Sequence, residues 1–165
     1  MVTAVHDDVE AARSAAAAVL DPEVPVLTIA DLGVLRDVTV EADGTVVVTI
    51  TPTYSGCPAM DTIRTDVAEA VRRAGFPAVE VRTALAPAWT TDWMTEAGRT
   101  KLLAYGIAPP PPGSGRRALF GEYRPRCPLC GSAETELISE FGSTSCKALH
   151  RCLACREPFD SFKCH

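Results

Sequence analysis

Apolar residues recur at helical spacing in three stretches of the chain and mark β-strands in three others. The helical stretches are residues 4–20, 58–74 and 91–105. The strand-like stretches, which alternate or are rich in β-branched residues, are 34–41, 46–51 and 79–85. Ala42-Asp43-Gly44 lies between the first two strands and is typical of a hairpin turn. The pattern predicts a small compact α/β domain with the order helix, β-hairpin, helix, strand, helix.

Four consecutive prolines, Pro109 to Pro112, interrupt this pattern and are followed by Gly-Ser-Gly. Such a run forms a stiff spacer of roughly 12 Å, at about 3.1 Å per residue. We therefore predict a first domain at residues 1–108, a linker at 109–118 and a second domain at 119–165. The second domain has few large apolar residues, and a domain of that size rarely folds without a metal or a crosslink.

Two Cys-x-x-Cys pairs stand in the second domain, Cys127 with Cys130 and Cys152 with Cys155. Thiolates at this spacing can close a tetrahedral metal site, and four cysteines without an open position are typical of structural zinc. Rubredoxin-like iron and a metal-free dithiol redox pair remain as alternatives. The predicted fold class is therefore α+β, a compact α/β domain followed by a metal-stapled ribbon.

Three of the seven cysteines lie outside these pairs. Cys57 precedes Pro58, a residue that suits the first position of a helix, so Cys57 is predicted to be the N-cap. A thiol there faces unpaired backbone N–H groups, which stabilise a reactive thiolate, and an inert buried cysteine is the alternative. Cys146 and Cys164 are candidates for additional ligands, and the alternative is one buried cysteine and one exposed terminal thiol.

The acidic turn Asp21-Pro22-Glu23 ends the first predicted helix, because a residue before proline avoids the α region. Such a turn is usually only solvated. It gains significance if the fold brings its carboxylates beside Cys57, which would then offer carboxylate and thiolate ligands together.

Charge and hydropathy exclude several classes of function. The net charge is -5, and residues 1–108 carry 8 Lys and Arg against 15 Asp and Glu, which does not suit nucleic-acid binding. No apolar run approaches the roughly 20 residues of a membrane span, and no secretory signal is expected. Seven cysteines without such a signal indicate a reducing compartment, the cytoplasm. A small sheet with an open edge also allows a homo-oligomer.

Several motifs resemble a known family. Residues 21–35, 46–52, 56–58 and 86–89 resemble the PaaD/SufT-type metal–sulfur cluster assembly domain, over about residues 4–108. Residues 127–131, 141–148 and 159–164 resemble the C-terminal region of the PaaD family. PaaD-like proteins accompany the multicomponent phenylacetyl-CoA epoxidase of phenylacetate breakdown.

The resemblance implies a maturation role, in which the chain helps to deliver iron or an iron–sulfur cluster to the oxygenase and reductase subunits of the epoxidase. It maps the family's cysteine to Cys57 and its acidic motif to Asp21 and Glu23, where iron or a cluster would bind transiently. The chain has no pair of Glu-x-x-His motifs for a di-iron centre and no Gly-x-Gly-x-x-Gly loop. We therefore expect an accessory protein and no catalytic residue. The alternatives are a structural subunit of the epoxidase and, less favoured, a thiol redox protein.

Overall fold

The computed structural model describes residues 2–113 and 123–163, with side chains described from residue 6 onward. Cys164 and part of the predicted linker, residues 114–118, lie outside the described residues. The chain divides into two compact units, Met1–Trp89 and Thr90–His165. Each unit has its own sheet, so the predicted mixture of helices and strands is confirmed.

The first unit packs two helices against a three-stranded sheet of order β1-β2-β3. Its elements are α1 (Val2–Ala17), β1 (Leu35–Val40), β2 (Val46–Ile50), α2 (Met60–Arg73) and β3 (Val79–Thr83). The hairpin β1-β2 is antiparallel, whereas β2 and β3 are parallel and are joined by α2. The central strand β2 is the most apolar, because Val46, Val48 and Ile50 are all fully buried. The buried stripe of α2, Ile63, Val67 and Val71, completes this core.

A tightly bonded connection replaces the last turn that the sequence predicted for the first helix. α1 ends at Ala17, since residues 19–21 pair with residues 27–29 instead of continuing the helix. The N–H of Ile29 donates to the carbonyl of Val19 (2.9 Å), and the N–H of Asp21 donates to the carbonyl of Leu27 (2.9 Å). This pairing fixes the start of the acidic turn against the body of the unit.

In the described residues of the second unit, one α-helix accompanies a four-stranded sheet. Its elements are α3 (Glu96–Ala104), β4 (Ile107–Ala108), β5 (Thr135–Ser139), β6 (Lys147–Cys152) and β7 (Pro158–Phe162). The predicted helix at 91–105 is divided into a 3-10 turn, Thr91–Trp93, and α3. The division falls at Thr95, whose hydroxyl accepts a hydrogen bond from the N–H of Gly98 (3.0 Å) and caps α3. None of the described helices is long and apolar enough to cross a membrane.

The division between the units differs from the predicted boundary at residues 109–118, because residues 90–108 group with the C-terminal unit. Two contacts explain the difference. Strand β4 pairs in parallel with β7, through Ile107 with Asp160 and Ala108 with Ser161. The buried guanidinium of Arg99 also donates hydrogen bonds to the carbonyls of Thr91 and Pro110, which ties the prolines to α3. A two-residue strand has no periodicity for the sequence to reveal.

Candidate functional site

The four paired cysteines of the C-terminal unit come together at one point. Each offers its Sγ atom, and all four atoms lie within 4.8 Å of one another. The Sγ atoms of Cys127 and Cys155 are 3.8 Å apart, and those of Cys130 and Cys152 are 3.5 Å apart. Sulfurs around a tetrahedral zinc with bonds of about 2.3 Å are separated by about 3.8 Å. The donor set and its spacing therefore fit a tetrahedral metal.

Both cysteine pairs form the same turn. In each, the N–H of the first cysteine donates to a carbonyl five residues later, and its own carbonyl accepts an N–H from four residues later. The four bonds are Cys127 N–H to Ser132 (2.9 Å), Gly131 N–H to Cys127 (2.8 Å), Cys152 N–H to Glu157 (3.0 Å) and Arg156 N–H to Cys152 (3.0 Å). The residue after each pair has positive φ, 76° at Gly131 and 70° at Arg156. Arg156 thus adopts the conformation of Gly131 although it carries a side chain.

Backbone donors favour the thiolate at one of the four cysteines, Cys152, whereas neighbouring thiols and desolvation raise the pKa of Cys130 and of Cys155. The N–H of Cys155 lies 3.4 Å from the Sγ of Cys152 and is the main cause that lowers the pKa of that thiol to about 6. Cys152 and Cys127 are buried and pack with Ala108 and Phe159 in one apolar cluster. Four thiolates so close together repel one another unless a cation lies between them. Bound zinc would supply that charge and link the two turns to the core of the unit.

Cys57 lies in the first unit, in the loop that leads from β2 into α2. The helix begins at Met60 with Ala59 as its N-cap, so the predicted N-cap position of Cys57 is corrected by two residues. The reason is a turn over Pro58 and Ala59, in which the carbonyl of Cys57 accepts the N–H of Met60 (3.3 Å). Gly56 has a φ of 88°, a conformation that side chains other than glycine rarely adopt, and it sets the direction of the chain into Cys57.

The pKa of the half-buried Cys57 thiol is raised, which reverses the thiolate stabilisation expected from the sequence. Burial is the main cause, and the carboxylates of Glu23 and Asp21 add to it. The N–H of Ala59 and the hydroxyl of Tyr54 act in the opposite direction but do not outweigh the burial. The fold thus brings the acidic turn close enough to act on Cys57, and it keeps the thiol protonated at neutral pH.

The two acidic residues have different surroundings. Asp21 is buried, and its Oδ1 accepts the N–H groups of Glu23 and Val24, each at 2.8 Å, so this carboxylate shapes the turn. The half-buried carboxylate of Glu23 accepts no hydrogen bond from any described residue. These two residues and Cys57 do not form a set of three ligands within 4.8 Å; of the described residues, only the tail cysteines do so.

The remaining predicted ligands do not join the four-cysteine group. Cys146 is buried, with its Sγ 3.1 Å from the hydroxyl oxygen of Thr144, and it lies outside that group. Cys164 lies beyond the described residues. One contributor was not predicted from the sequence, namely Tyr54, whose hydroxyl acts against the rise in the pKa of the Cys57 thiol. The sequence offered one signal for this effect, namely that Tyr54 stands three residues before Cys57.

Two family models match the chain, one in each half. The model described as "Iron-sulfur cluster assembly protein" matches residues 9–85. The model described as "PaaD zinc beta ribbon domain" matches residues 111–163, which include all four tail cysteines. The first match contains Asp21, Glu23 and Cys57.

Related proteins agree with both matches. A protein of Escherichia coli that is named as one subunit of a "Putative 1,2-phenylacetyl-CoA epoxidase" is 56% identical over 87% of this chain and 86% of its own length. A "Fe-S protein maturation auxiliary factor" of Porphyromonas gingivalis is 41% identical over 51% of this chain and 80% of its own length. A crystal structure of a domain of unknown function from Bacillus anthracis is 28% identical, with a TM-score of 0.55 over 62% of this chain and 97% of that one. The chain belongs to the PaaD family of phenylacetyl-CoA epoxidase subunits.

Proposed function

We propose that the chain is a maturation protein of the phenylacetyl-CoA epoxidase system, which helps to deliver iron or an iron–sulfur cluster to the enzyme's other components. The observation that carries the proposal is the grouping of Cys57 with Asp21 and Glu23, whose charges act on the thiol. This grouping lies within the part of the chain that matches the iron–sulfur cluster assembly model. The relative named for Fe-S protein maturation supports this role, and the relative named for the epoxidase indicates the system in which it would act.

The chemistry of Cys57 suits temporary binding of a metal cargo. In the free protein, burial and the two carboxylates keep the thiol protonated. An arriving cation is attracted by the same carboxylates, displaces the thiol proton and gains one thiolate ligand. Because the described residues around Cys57 do not complete a set of three ligands, the cargo keeps positions open for a client's own ligands. Such an incomplete site favours transfer over storage.

The ribbon has a structural role in this proposal. Cys127, Cys130, Cys152 and Cys155 would hold zinc in a closed site, which supplies folding free energy and no reaction. The chain would then act as an accessory component in the cytoplasm, with the oxygenase and reductase as its clients, and would not be the catalytic subunit.

The decisive experiment replaces Cys57 with Ser and measures the iron and sulfide content of the oxygenase and reductase purified from the same cells. The matched control is the double variant Ser55→Cys and Cys57→Ser, which keeps a thiol in the loop but moves it across Gly56. Both variants should lower metal loading of a client, while the wild-type chain restores it. Full loading of both clients with Cys57→Ser at normal protein levels would refute the delivery role.

A structural subunit of the epoxidase is the second candidate, and it is favoured by the name of the Escherichia coli relative. In that case the Cys57→Ser chain should co-purify with the active enzyme at a fixed ratio and leave activity unchanged. A maturation protein should instead dissociate from the finished enzyme, so removing this chain after assembly should not reduce the epoxidase activity.

A further inference from the structure

The outer edge of the ribbon sheet carries exposed apolar side chains. Strand β5 is the last strand in the order β4-β7-β6-β5, so one of its edges pairs with no described strand. Leu137 and Ile138 on this strand are 52% and 50% exposed. The pairing with β6 is irregular between Leu137 and Ser139, and such a bulge turns neighbouring side chains outward. Neither side chain is needed for the metal site or the core.

The exposed surface continues onto the second cysteine turn. The N–H of Leu153 donates to the carbonyl of Glu134 (2.8 Å), which holds Leu153 beside the start of β5, on the side that pairs with β6. Leu153 is itself 48% exposed. Apolar side chains grouped on a surface mark sites of protein contact more often than single exposed ones do. We call the unpaired edge of β5, with its exposed side chains, the β5 edge.

Acidic residues lie at both ends of the apolar pair. Glu134 and Glu140 are exposed and form no ion pair with any described residue. Glu136, between them, is already paired with Arg151. Glu134 and Glu140 flank β5, and at about 3.3 Å per residue of extended chain they lie at most about 20 Å apart. A partner strand therefore meets negative charge at both ends and apolar surface between them.

The same charges disfavour a second copy of this chain as the occupant. In an antiparallel pairing of two β5 strands centred on Leu137, Glu134 of each copy stands opposite Glu140 of the other copy. A pairing centred on Ile138 instead opposes Glu136 and Glu140. Like charges directly opposite each other destabilise a sheet. The edge therefore favours a different chain.

We propose that the β5 edge docks an extended segment of a client protein, with apolar residues between two basic residues about six positions apart. The segment adds a strand to the sheet, so that backbone hydrogen bonds supply affinity and the flanking charges supply selectivity. This inference rests on the proposed maturation role, because that role requires the chain to meet a client. It also assigns docking to the second unit and leaves metal handling to the first.

Binding of the metal-loaded full-length chain to purified oxygenase and reductase components tests the proposal. The charge variant combines Glu134→Lys and Glu140→Lys, and the apolar variant combines Leu137→Gln and Ile138→Gln. The control, Glu10→Lys with Asp66→Lys, makes the same change in net charge on exposed helix positions of the first unit. Each β5 variant should weaken binding at least roughly tenfold, while the control should stay within about twofold. Metal content and circular dichroism confirm that each variant is folded.

Hydrogen exchange of residues 134–140 provides the second measurement, because strand addition slows exchange of the edge N–H groups only when the client is present. Equal binding by the β5 variants, or no binding of either component to the wild-type chain, would overturn the proposal. Slowed exchange that depends on the concentration of this chain alone would assign the edge to a second copy and also overturn the proposal.

The Cys57→Ser variant separates docking from metal handling. If docking is independent of metal handling, this variant still binds the client but no longer delivers iron. Normal delivery by Cys57→Ser would refute the maturation role while the docking result stands.

Discussion

The carboxylates of Asp21 and Glu23 have two effects at the Cys57 thiol. They help to keep the thiol protonated, and they attract cations to it. Replacing Glu23 with Gln removes one of these charges without disturbing a described side-chain hydrogen bond. The pKa of Cys57 should fall, and alkylation by iodoacetamide at neutral pH should become faster because more thiolate is present. Binding of ferrous iron should become weaker under the same conditions. Glu10→Gln on α1 is the control and should change neither measurement.

An unchanged alkylation profile in the Glu23→Gln variant would mean that burial alone sets the pKa of Cys57. Asp21 is a poorer test, because Asp21→Asn also weakens the hydrogen bonds that its carboxylate accepts from Glu23 and Val24. The two acidic residues are thus separable in experiment, one as an electrostatic partner and the other as the residue that shapes the turn.

The two cysteine turns offer a matched pair of backbone tests at the level of single elements. Positive φ is strained for residues with a side chain, by roughly 1 kcal/mol, and glycine removes this strain. Arg156→Gly should therefore stabilise the metal-loaded ribbon by about 0.5–1 kcal/mol, and Gly131→Ala should destabilise it by about 1 kcal/mol. Competition with a chelator and thermal unfolding measure both effects. Effects of the same sign from the two substitutions would contradict the shared geometry of the two turns.

Short strands and the ends of helices were harder to predict from the sequence than long periodic stretches. Long periodic stretches such as α2 and β2 were predicted within a few residues, because their apolar spacing reflects a single buried face. Strand β4 was not predicted, since a two-residue strand has no period. The N-cap was placed two residues early, at Cys57, because a turn can precede a helix without changing its composition. The four-cysteine site was predictable from spacing alone, whereas the effect of Glu23 on Cys57 depends on how the fold closes.

At the scale of the whole molecule, the segment before the prolines should decide whether the ribbon is stable by itself. A fragment of residues 90–165 keeps β4, whereas a fragment of residues 109–165 loses the pairing with β7 and the contact of Ala108 with the cysteine cluster. Loss of this two-residue pairing, at about 1 kcal/mol for each hydrogen bond, predicts roughly tenfold or more weaker zinc binding by the shorter fragment. Chelator titration of both fragments checks this. Equal affinities would support the predicted boundary at residues 109–118.

Metal removal should affect the two units differently. The second unit depends on its thiolate site, while the first has an apolar core of its own. A chelator should therefore speed hydrogen exchange in residues 123–163 and leave residues 6–89 protected. Acid should act in the same way, because protons compete with the metal for the sulfurs, so metal is retained at higher pH and lost as the pH falls. Simultaneous unfolding of both units would contradict their independence.

The repetition of one turn at Cys127–Ser132 and at Cys152–Glu157 has a consequence for how this family can change over time. Each half of the metal site is encoded by six consecutive residues with local hydrogen bonds. The hairpin between them, which includes β5, contributes no ligand. Substitutions or changes of length there should leave the metal site intact, so a new binding preference can evolve without loss of the fold.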